Sequence, residues 1–312
     1  MMENQVAISV VVPVYNGERV IGRCLDSLCA QNFHDFEIVV VDDCSRDGSV
    51  DAVRRHAERN SRVRLVAKDV NQGTMEARRT GYENARGEYI VFCDCDDTMP
   101  HDALARMYDM IAPERLDMVL CGLRIIETDG SVKLRPRLRS RLDEGESIWP
   151  ALLRSKITPY LCAGIYRREF LLDVAPETFC NQSVNEDFMM LLQLLNATER
   201  YSFENEYLYD YIIQPHSSSQ GRPSLDKLRQ ELWANKWCCD YLCSHSICVD
   251  EARRLYLRRV VKCLPWGFSR AQIMATGLVD RTLFSIANIR RYAGIKYVLK
   301  YWWWTAVRTF RK

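Results

Sequence analysis

Two aspartates follow a strand-like run and have the spacing best suited to chemistry in this chain. Asp94 and Asp96 come after the strand-like run 88–93, and a helical pattern opens just beyond them, at Pro100. In an extended backbone the side chains at positions i and i+2 point the same way, so both carboxylates are expected to project from one sheet edge. Converging carboxylates repel unless a cation lies between them. A hard divalent cation with oxygen ligands fits that need and would attract a diphosphate; the alternative is an acidic turn before a solvated helix start.

The elements that must position these aspartates are readable from residues 1–110, where strand and helix patterns alternate. Continuous apolar runs predict strands buried on both faces at 7–14, 36–41, 63–66 and 89–93. Such alternation predicts a parallel sheet covered by helices on both sides, in which ligands bind at the carboxyl ends of the strands. Each strand end carries a polar cluster: Tyr15-Asn16, Asp42-Asp43, 68–73 and 94–97.

The rest of the chain is less regular and then becomes helical. The expected elements are a hairpin around Asp129-Gly130 with strands at 118–127 and 132–134, a strand at 164–166, a helix at 187–195 and an alternating aromatic and polar run at 201–213. Residues 214–224 are rich in Ser, Gly and Pro and predict a loop or boundary. Beyond them, 225–312 has a wholly helical pattern.

Composition excludes several classes of protein. Apolar content of 47% and charged content of 27% are those of an ordinary globular protein, and a net charge of +2 suggests no nucleic-acid partner. The 13 cysteines are odd in number and lack zinc-ligand spacing, so free thiols in a reducing cytosol are expected. The N-terminus lacks a basic region, and Pro13 interrupts its apolar run, so neither a signal peptide nor a membrane span is predicted there.

Six short motifs occur in order at the predicted strand ends and helix starts. They are Val12-Pro13-Val14-Tyr15-Asn16, Asp42-Asp43-Cys44-Ser45, Asn71-Gln72-Gly73 with Ala77-Arg78, Gly87-Glu88-Tyr89-Ile90, Asp94-Cys95-Asp96-Asp97 and Glu186-Asp187. Together they make residues 6–215 resemble the inverting glycosyltransferases of family 2, which have the GT-A fold. The resemblance implies an α/β fold with a mostly parallel twisted sheet between helices and a C-terminal helical extension. A Rossmann dehydrogenase is disfavoured because the first strand leads into Tyr-Asn-Gly-Glu instead of G-x-G-x-x-G.

This resemblance also implies a domain organisation. The catalytic domain is expected at 1–222, with a nucleotide-binding half at 1–112 and an acceptor-binding half at 113–222. A helical region follows at 223–312.

For the nucleotide-sugar donor, the resemblance implies a site built from the first three strand ends. Its expected residues are Pro13, Tyr15, Asn16, Asp42, Asp43, Asn71, Gly73, Arg78 and Asp94. Tyr15 would stack on the nucleobase, unless it is a core tyrosine. Asp43 would accept a hydrogen bond from a ring N–H of the base, which suits uracil and makes a UDP-sugar the first choice, while Asp42 would share that role or cap the turn. Asn71, Gly73 and Arg78 would approach the ribose and diphosphate; for Arg78 the alternative is a surface salt bridge.

For the cation, the resemblance implies Mg²⁺ or Mn²⁺ bound to oxygen ligands. Asp96 would be the direct metal ligand, and Asp94 would contact the ribose or a metal-bound water. Asp97 would support the turn. His216 would be a third metal ligand or a phosphate contact, with a solvated loop histidine as the alternative.

The remaining acidic pair, Glu186-Asp187, opens a helix in the acceptor half. Inversion needs a base that deprotonates the acceptor hydroxyl as it attacks. The resemblance assigns that base to Asp187, with Glu186 as the fallback. The alternative is a favourable charge at a helix N-terminus.

The C-terminal segment 292–312 carries Trp302, Trp303 and Trp304, and 281–312 has eight Lys or Arg and no Asp or Glu. Such a helix suits a membrane interface, the alternative being packing on the catalytic domain. The expected protein is therefore a cytoplasmic enzyme at the inner face of the cell membrane, moving a sugar to a glycan or lipid-linked acceptor in cell-surface polysaccharide synthesis. Its rivals are a sugar-nucleotide nucleotidyltransferase, which should carry a basic Gly-rich loop after the first strand, and a non-catalytic binding module on the same fold.

Overall fold

A computed structural model describes residues 6–138, 147–214, 224–263, 270–279, 285–294, 296–299 and 301. The described residues form two compact units. Unit 1 comprises Met1–Arg139, Thr158–Ser183 and Met190–Ser217, and unit 2 comprises Ser140–Ile157, Val184–Met189 and Ser218–Lys312. The division of the chain into a catalytic domain ending at 222 and a helical region after it stays a prediction.

Unit 1 is built on an eight-stranded sheet. Its strands are β1 (Ile8–Val14), β2 (Phe36–Asp42), β3 (Val63–Ala67), β4 (Tyr89–Phe92), β5 (Met118–Ile126), β6 (Val132–Arg135), β7 (Gly164–Arg167) and β8 (Tyr201–Ile212). The order is β3-β2-β1-β4-β7-β5-β6, and β8 pairs with β5. The first four strands are parallel to one another. Each lies within one residue of its predicted bounds.

The second half of the sheet mixes both directions. β7 is antiparallel to β4 and β5, and β8 runs parallel to β5. The predicted hairpin is confirmed, because β5 and β6 pair antiparallel and the N–H of Gly130 donates to the carbonyl of Glu127. The predicted α/β architecture, a mostly parallel sheet with helices, is thus confirmed.

Helices connect many of the strands along the chain and form the described part of its C-terminal region. They are α1 (Ile21–Cys29), α2 (Ser49–Arg59), α3 (Thr74–Asn84), α4 (Ala103–Ile111), α5 (Ile148–Leu153), α6 (Arg168–Val174), α7 (Glu186–Ala197), α8 (Leu225–Ser244), α9 (Val249–Cys263), α10 (Arg270–Ala275) and α11 (Ile286–Asn288), which continues as a π-helical turn over Ile289–Ala293. The apolar spacing in α1 places Ile21, Cys24, Leu25 and Leu28 in the core, as expected of an amphipathic helix.

Helix α3 lies unusually close to the sheet. A Cβ added to Gly81 would overlap the side chain of Val11 in the buried strand β1. The missing side chain lets the helix backbone approach β1. This approach matters because α3 carries Arg78, one of the predicted site residues.

Unit 2 contains α8 and α9, and the tyrosines of the C-terminal segment pack within it. Tyr292 and Tyr301 are buried, and the guanidinium of Arg258 lies over the ring of Tyr297 at 5.6 Å. Trp302, Trp303 and Trp304 lie outside the described residues. No helix in the described part of the chain is both long enough and apolar enough to cross a bilayer.

Candidate active site

The polar clusters predicted at the strand ends do lie at one edge of the sheet. Because β1, β2, β3 and β4 are parallel, their carboxyl ends share that edge. Hydrogen bonds join neighbouring clusters directly. The N–H of Asn16, after β1, donates to Ser45 Oγ after β2 at 2.9 Å, and Asn16 Oδ1 accepts from the N–H of Arg46 at 2.9 Å.

Tyr15 and Asn16 form the turn that leaves β1. Tyr15 is 47% exposed, which rules out the alternative of a core tyrosine. Asn16 has a φ of 52°, a left-handed conformation that asparagine adopts more readily than most residues. Pro13 is buried within β1, two residues beyond the last pair of the ladder with β4. Tyr15 and Asn16 are therefore the residues of this motif that are open to solvent.

Asp43 organises the loop after β3. Its carboxylate accepts hydrogen bonds from Lys68 Nζ at 2.6 Å, from the N–H of Gln72 at 3.1 Å and from the N–H of Gly73 at 2.7 Å. Gly73 is the N-cap residue of α3 and has a φ of 92°. A Cβ there would lie 3.2 Å from the backbone nitrogen of Asn181. The structure thus gives Asp43 a positioning role that the sequence did not reveal.

Asp42 is buried and closes the turn after β2. Its Oδ2 accepts a hydrogen bond from the N–H of Ser45 at 3.0 Å, which is the capping alternative drawn from the sequence. Its Oδ1 is buried and accepts no hydrogen bond from the described residues. Asn71 lies half-buried in the loop between β3 and α3.

The prediction of an extended backbone through Asp94 and Asp96 is wrong. Strand β4 ends at Phe92, and the chain turns at Cys95-Asp96, where the N–H of Asp97 donates to the carbonyl of Asp94 at 3.1 Å. The helix beyond begins at Ala103 instead of Pro100. The two carboxylates are nonetheless close enough to interact. Burial raises the pKa of Asp96, and the negative charge of Asp94 raises it further.

The reason for this turn is Asp97, which is 1% exposed. Its Oδ2 accepts a hydrogen bond from the Tyr209 hydroxyl at 2.7 Å, and its Oδ1 accepts from the N–H of Ile212 at 2.8 Å. The same hydroxyl accepts from the N–H of Asp94 at 3.0 Å. Burial, with the charges of Asp94 and Asp96, raises the pKa of Asp97 to about 8. Strand β8 therefore holds both ends of the acidic turn.

Arg78 is a buried partner of this turn and not a surface residue. The guanidinium is 2% exposed, and its Nη2 donates to Asp94 Oδ1 at 2.8 Å. The alternative of a surface salt bridge for Arg78 is therefore wrong, because its guanidinium forms a salt bridge while buried. Such a pair fixes its partner's orientation, since removing either member leaves a charge in a poorly solvated place.

The acidic turn offers two carboxylates to a cation. Within the part of the chain that the structure describes, no three His, Cys, Asp or Glu side chains converge on a common point. Mg²⁺ is commonly held by one or two protein carboxylates together with phosphate oxygens of a substrate, so Asp94 and Asp96 fit that kind of site. His216, the predicted third ligand, lies outside the described residues.

Glu186 and Asp187 form the first turn of α7 and belong to unit 2. The residue before them, Asn185, has a φ of 59° and is held by two charged groups. Its Nδ2 donates to Glu231 Oε2 at 3.1 Å, and its Oδ1 accepts from Arg259 Nη1 at 2.9 Å. Asn235 makes the same pair of contacts, to Glu231 Oε1 and Arg259 Nη1. The role of Asp187 as base stays a prediction.

Sequence reasoning missed Lys68, Tyr209 and Asn185 as residues that position the predicted site. For Tyr209 there was a signal, the alternation of aromatic and polar residues over 201–213. For Lys68 the only hint was its position directly after β3. Asn185 gave no signal, because its partners lie 46 and 74 residues further along the chain.

Comparison with known proteins defines the class. Residues 9–174 match the model of the glycosyl transferase family 2. The chain is 31% identical to the uncharacterised glycosyltransferase EpsJ of Bacillus subtilis over 237 residues, which cover 73% of this chain and 68% of EpsJ. This chain therefore belongs to glycosyl transferase family 2 and is a glycosyltransferase.

A second relative matches over a shorter stretch. The poly(ribitol-phosphate) beta-glucosyltransferase of Bacillus spizizenii is 39% identical over 129 residues, which cover 40% of this chain and 20% of that protein. The solved structure of S. aureus TarS 1-349 in complex with UDP-GlcNAc superimposes with a TM-score of 0.67 at 19% identity, covering 94% of this chain and 89% of TarS 1-349. That likeness confirms the GT-A type of fold.

Proposed function

We propose that this enzyme transfers a sugar, with inversion, from a nucleotide-sugar to a hydroxyl of a glycan or lipid-linked acceptor in the synthesis of cell-surface polysaccharide. The observation that carries the proposal is the acidic turn after β4, held by Arg78 and Tyr209 at the edge that also carries Tyr15 and Asp43. Ligands of open α/β sheets bind at this edge. The relatives support the acceptor class, since one of them is named for adding glucose to poly(ribitol phosphate).

A UDP-sugar is the proposed donor. In this assignment Tyr15 stacks on the base, Asp43 accepts from its ring N–H while holding the 68–73 loop, and Asp42, Pro13 and Asn16 shape the pocket. Asn71, Gly73 and Arg78 face the ribose and diphosphate. The exposed ring of Tyr15 supports the stacking role, and the fold shared with a UDP-GlcNAc complex supports the choice of nucleotide.

The proposed cation is Mg²⁺ or Mn²⁺, held by Asp96 with Asp94 beside it and His216 as a further candidate. When bound, the cation neutralises charge that develops on the departing nucleoside diphosphate. Asp94 remains oriented by Arg78, and Asp97 keeps the turn closed.

Asp187 is the proposed base, with Glu186 as the fallback. As the acceptor oxygen bonds to the anomeric carbon, its proton passes to the Asp187 carboxylate. The bond from the anomeric carbon to the diphosphate oxygen breaks on the opposite face, and the diphosphate leaves with the electron pair. The configuration of that carbon is thereby inverted.

Calorimetric titration with UDP tests the donor half of this proposal without an acceptor. We expect UDP to bind in Mn²⁺ and at least tenfold more weakly in EDTA or in Asp96→Asn, because a ligand charge is lost. Asp109→Asn is the control, because Asp109 is exposed on α4. This variant should bind UDP with the affinity of the wild type. UDP should also bind more tightly than GDP or CDP. Equal affinity of wild type and Asp96→Asn with Mn²⁺ present would refute the cation assignment.

Contact of 292–312 with the inner face of the cell membrane is also proposed, on the strength of the eight cationic and no acidic residues in 281–312. Deleting 292–312 should shift the protein from the membrane to the soluble fraction. A wild-type protein found wholly in the soluble fraction at low salt would argue against that contact.

A further inference from the structure

Three arginines line a cavity of about 320 Å³ in unit 1, formed by Arg115, Arg167 and Arg200. Arg115 precedes β5, Arg200 precedes β8, and Arg167 ends β7, which is antiparallel to both neighbours in the sheet. These positions share the edge where β4 begins, since Arg167 pairs with Tyr89. The cavity therefore lies at the opposite edge of the sheet from the acidic turn.

Carboxylates pair with two of these three arginines, and Arg200 forms no ion pair among the described residues. Arg167 is held by Asp117 Oδ1 at 2.6 Å and by Glu169 Oε2 at 2.8 Å. Asp117 is buried and is also bonded to the hydroxyl of Thr198 through its other oxygen. Its carboxylate is thus fully engaged in fixing Arg167.

The other two guanidinium groups have few partners. Arg200 Nη2 donates to the carbonyl of Arg115. Among the described residues Arg200 forms no ion pair with a carboxylate, so most of its five N–H donors remain available. Arg115 is 73% exposed, and its nearest carboxylate oxygen, on Glu88, is 3.8 Å away. The sequence neighbours Glu114 and Glu199 form no ion pair with the three arginines in the described structure.

The backbone at Arg115 adds an independent indication. It has a φ of 48° in the turn that follows α4, a left-handed conformation that glycine and asparagine adopt more readily than arginine. An arginine there carries a conformational cost. Its side chain is nonetheless placed at the cavity.

We propose that this cavity binds a phosphate group. Guanidinium forks match phosphate oxygens in geometry and charge. A tetrahedral phosphate can accept hydrogen bonds from three directions, whereas a carboxylate offers two coplanar oxygens, and the cavity has room for a group larger than a carboxylate. A free phosphate or diphosphate and the phosphomonoester of a lipid headgroup share this chemistry. The proposal is independent of the sugar transfer proposed above.

Binding of phosphate probes is measured in EDTA. EDTA removes divalent cations, so the proposed cation-dependent donor site does not contribute to the binding that is observed. The probes are inorganic phosphate and pyrophosphate, followed by calorimetry, and vesicles of phosphatidic acid in phosphatidylcholine, followed by sedimentation. We expect at least one probe to bind the full chain, and Arg200→Gln to weaken that binding about tenfold or more. Soluble phosphates that bind identify a free anion as the ligand, and binding to vesicles alone identifies a headgroup.

Arg55→Gln is the matched control, because it removes the same charge from an exposed position on α2. It should bind every probe as the wild type does. If Arg200→Gln unfolds, Arg115→Gln takes its place, since the Arg115 guanidinium has no hydrogen-bond partner among the described residues. The proposal is overturned if no probe binds, or if binding is equal in wild type and pocket variant.

Discussion

The acidic turn after β4 and the acidic start of α7 are anchored by different chemistry. The turn is bound to β8 through the hydroxyl of Tyr209, which accepts from the N–H of Asp94 and donates to the Asp97 carboxylate. The start of α7 is anchored through Asn185, whose amide bridges the opposite charges of Glu231 and Arg259. Hydrogen bonds to charged groups are about twice as strong as those between neutral groups. Both bonds of Asn185 are to charged groups, whereas one of the two bonds of the Tyr209 hydroxyl is to a backbone N–H. The Asn185 bridge, here called the α7 anchor, should therefore be the stronger of the two.

The largest expected effect comes from the acidic start of α7 itself. Asp187→Asn should lower kcat by roughly 10²–10⁴-fold, because a general base contributes on that order, and leave the affinity for UDP with Mn²⁺ unchanged. Asp226→Asn is the matched control, since Asp226 is the first-turn acid of α8. It removes a similar helix-dipole interaction, worth about 0.3–1 kcal/mol. If kcat is the same in Asp187→Asn and Asp226→Asn, Asp187 is not the base and contributes only a favourable charge at the start of its helix.

The strands that lead into the acidic turn and its neighbouring loops could be predicted from the sequence, because each buried strand is a short continuous run of apolar residues. Apolar runs located β1 to β4 within one residue, and parallel pairing then brought their ends to one edge. The local geometry of the turn could not be predicted. An extended backbone was expected at Asp94 and Asp96, whereas Asp97 is bonded to a tyrosine 112 residues away.

The α7 anchor was harder to predict than the sheet edge. Asn185, Asn235 and Arg259 are polar residues whose meeting depends on how α8 and α9 pack within unit 2. Neither hydrophobic periodicity nor a turn motif in the sequence predicts how these helices pack. The buried pairing of Arg78 with Asp94 was missed for a related reason, since Gly81 brings α3 closer to β1 than an average helix residue would.

A smaller effect is expected from breaking the α7 anchor. Asn185→Gly keeps a residue that tolerates the φ of 59° but removes the amide between Glu231 and Arg259. Two charge-assisted hydrogen bonds of about 1.5–3 kcal/mol each are lost, so the free energy of unfolding should fall by about 3–6 kcal/mol. If Asn185 positions the base, kcat should fall by up to about 10²-fold with UDP affinity unchanged.

The second asparagine of this network provides the control for that prediction. Asn235 contacts the same Glu231 and Arg259 and is buried. It belongs to α8, however, and not to the segment that leads into α7. Asn235→Ala should destabilise the protein by a comparable amount, measured by urea unfolding, while kcat stays near that of the wild type. A parallel loss of kcat in both variants would mean that the network only supports folding.

The smallest effect should come from the neutral hydroxyl at the acidic turn. Tyr209→Phe deletes the acceptor for the Asp94 N–H and the donor to Asp97, whose other oxygen keeps its bond to the N–H of Ile212. The free energy of unfolding should fall by about 2–4 kcal/mol, because one bond to a backbone N–H (about 0.5–1.5 kcal/mol) and one to a carboxylate (about 1.5–3 kcal/mol) are lost. The Mn²⁺ concentration that supports half-maximal UDP binding should rise, because the turn bearing Asp94 and Asp96 is less constrained.

Tyr211→Phe separates the role of the hydroxyl from that of the ring. Tyr211 also lies on β8, and its hydroxyl has no hydrogen-bond partner among the described residues. Removing this hydroxyl should leave both the unfolding free energy and the Mn²⁺ requirement unchanged. If Tyr209→Phe instead destabilises the protein as much as Asn185→Gly, the turn is anchored as strongly as α7. The number of bonds to charged groups then does not decide the strength of the two anchors.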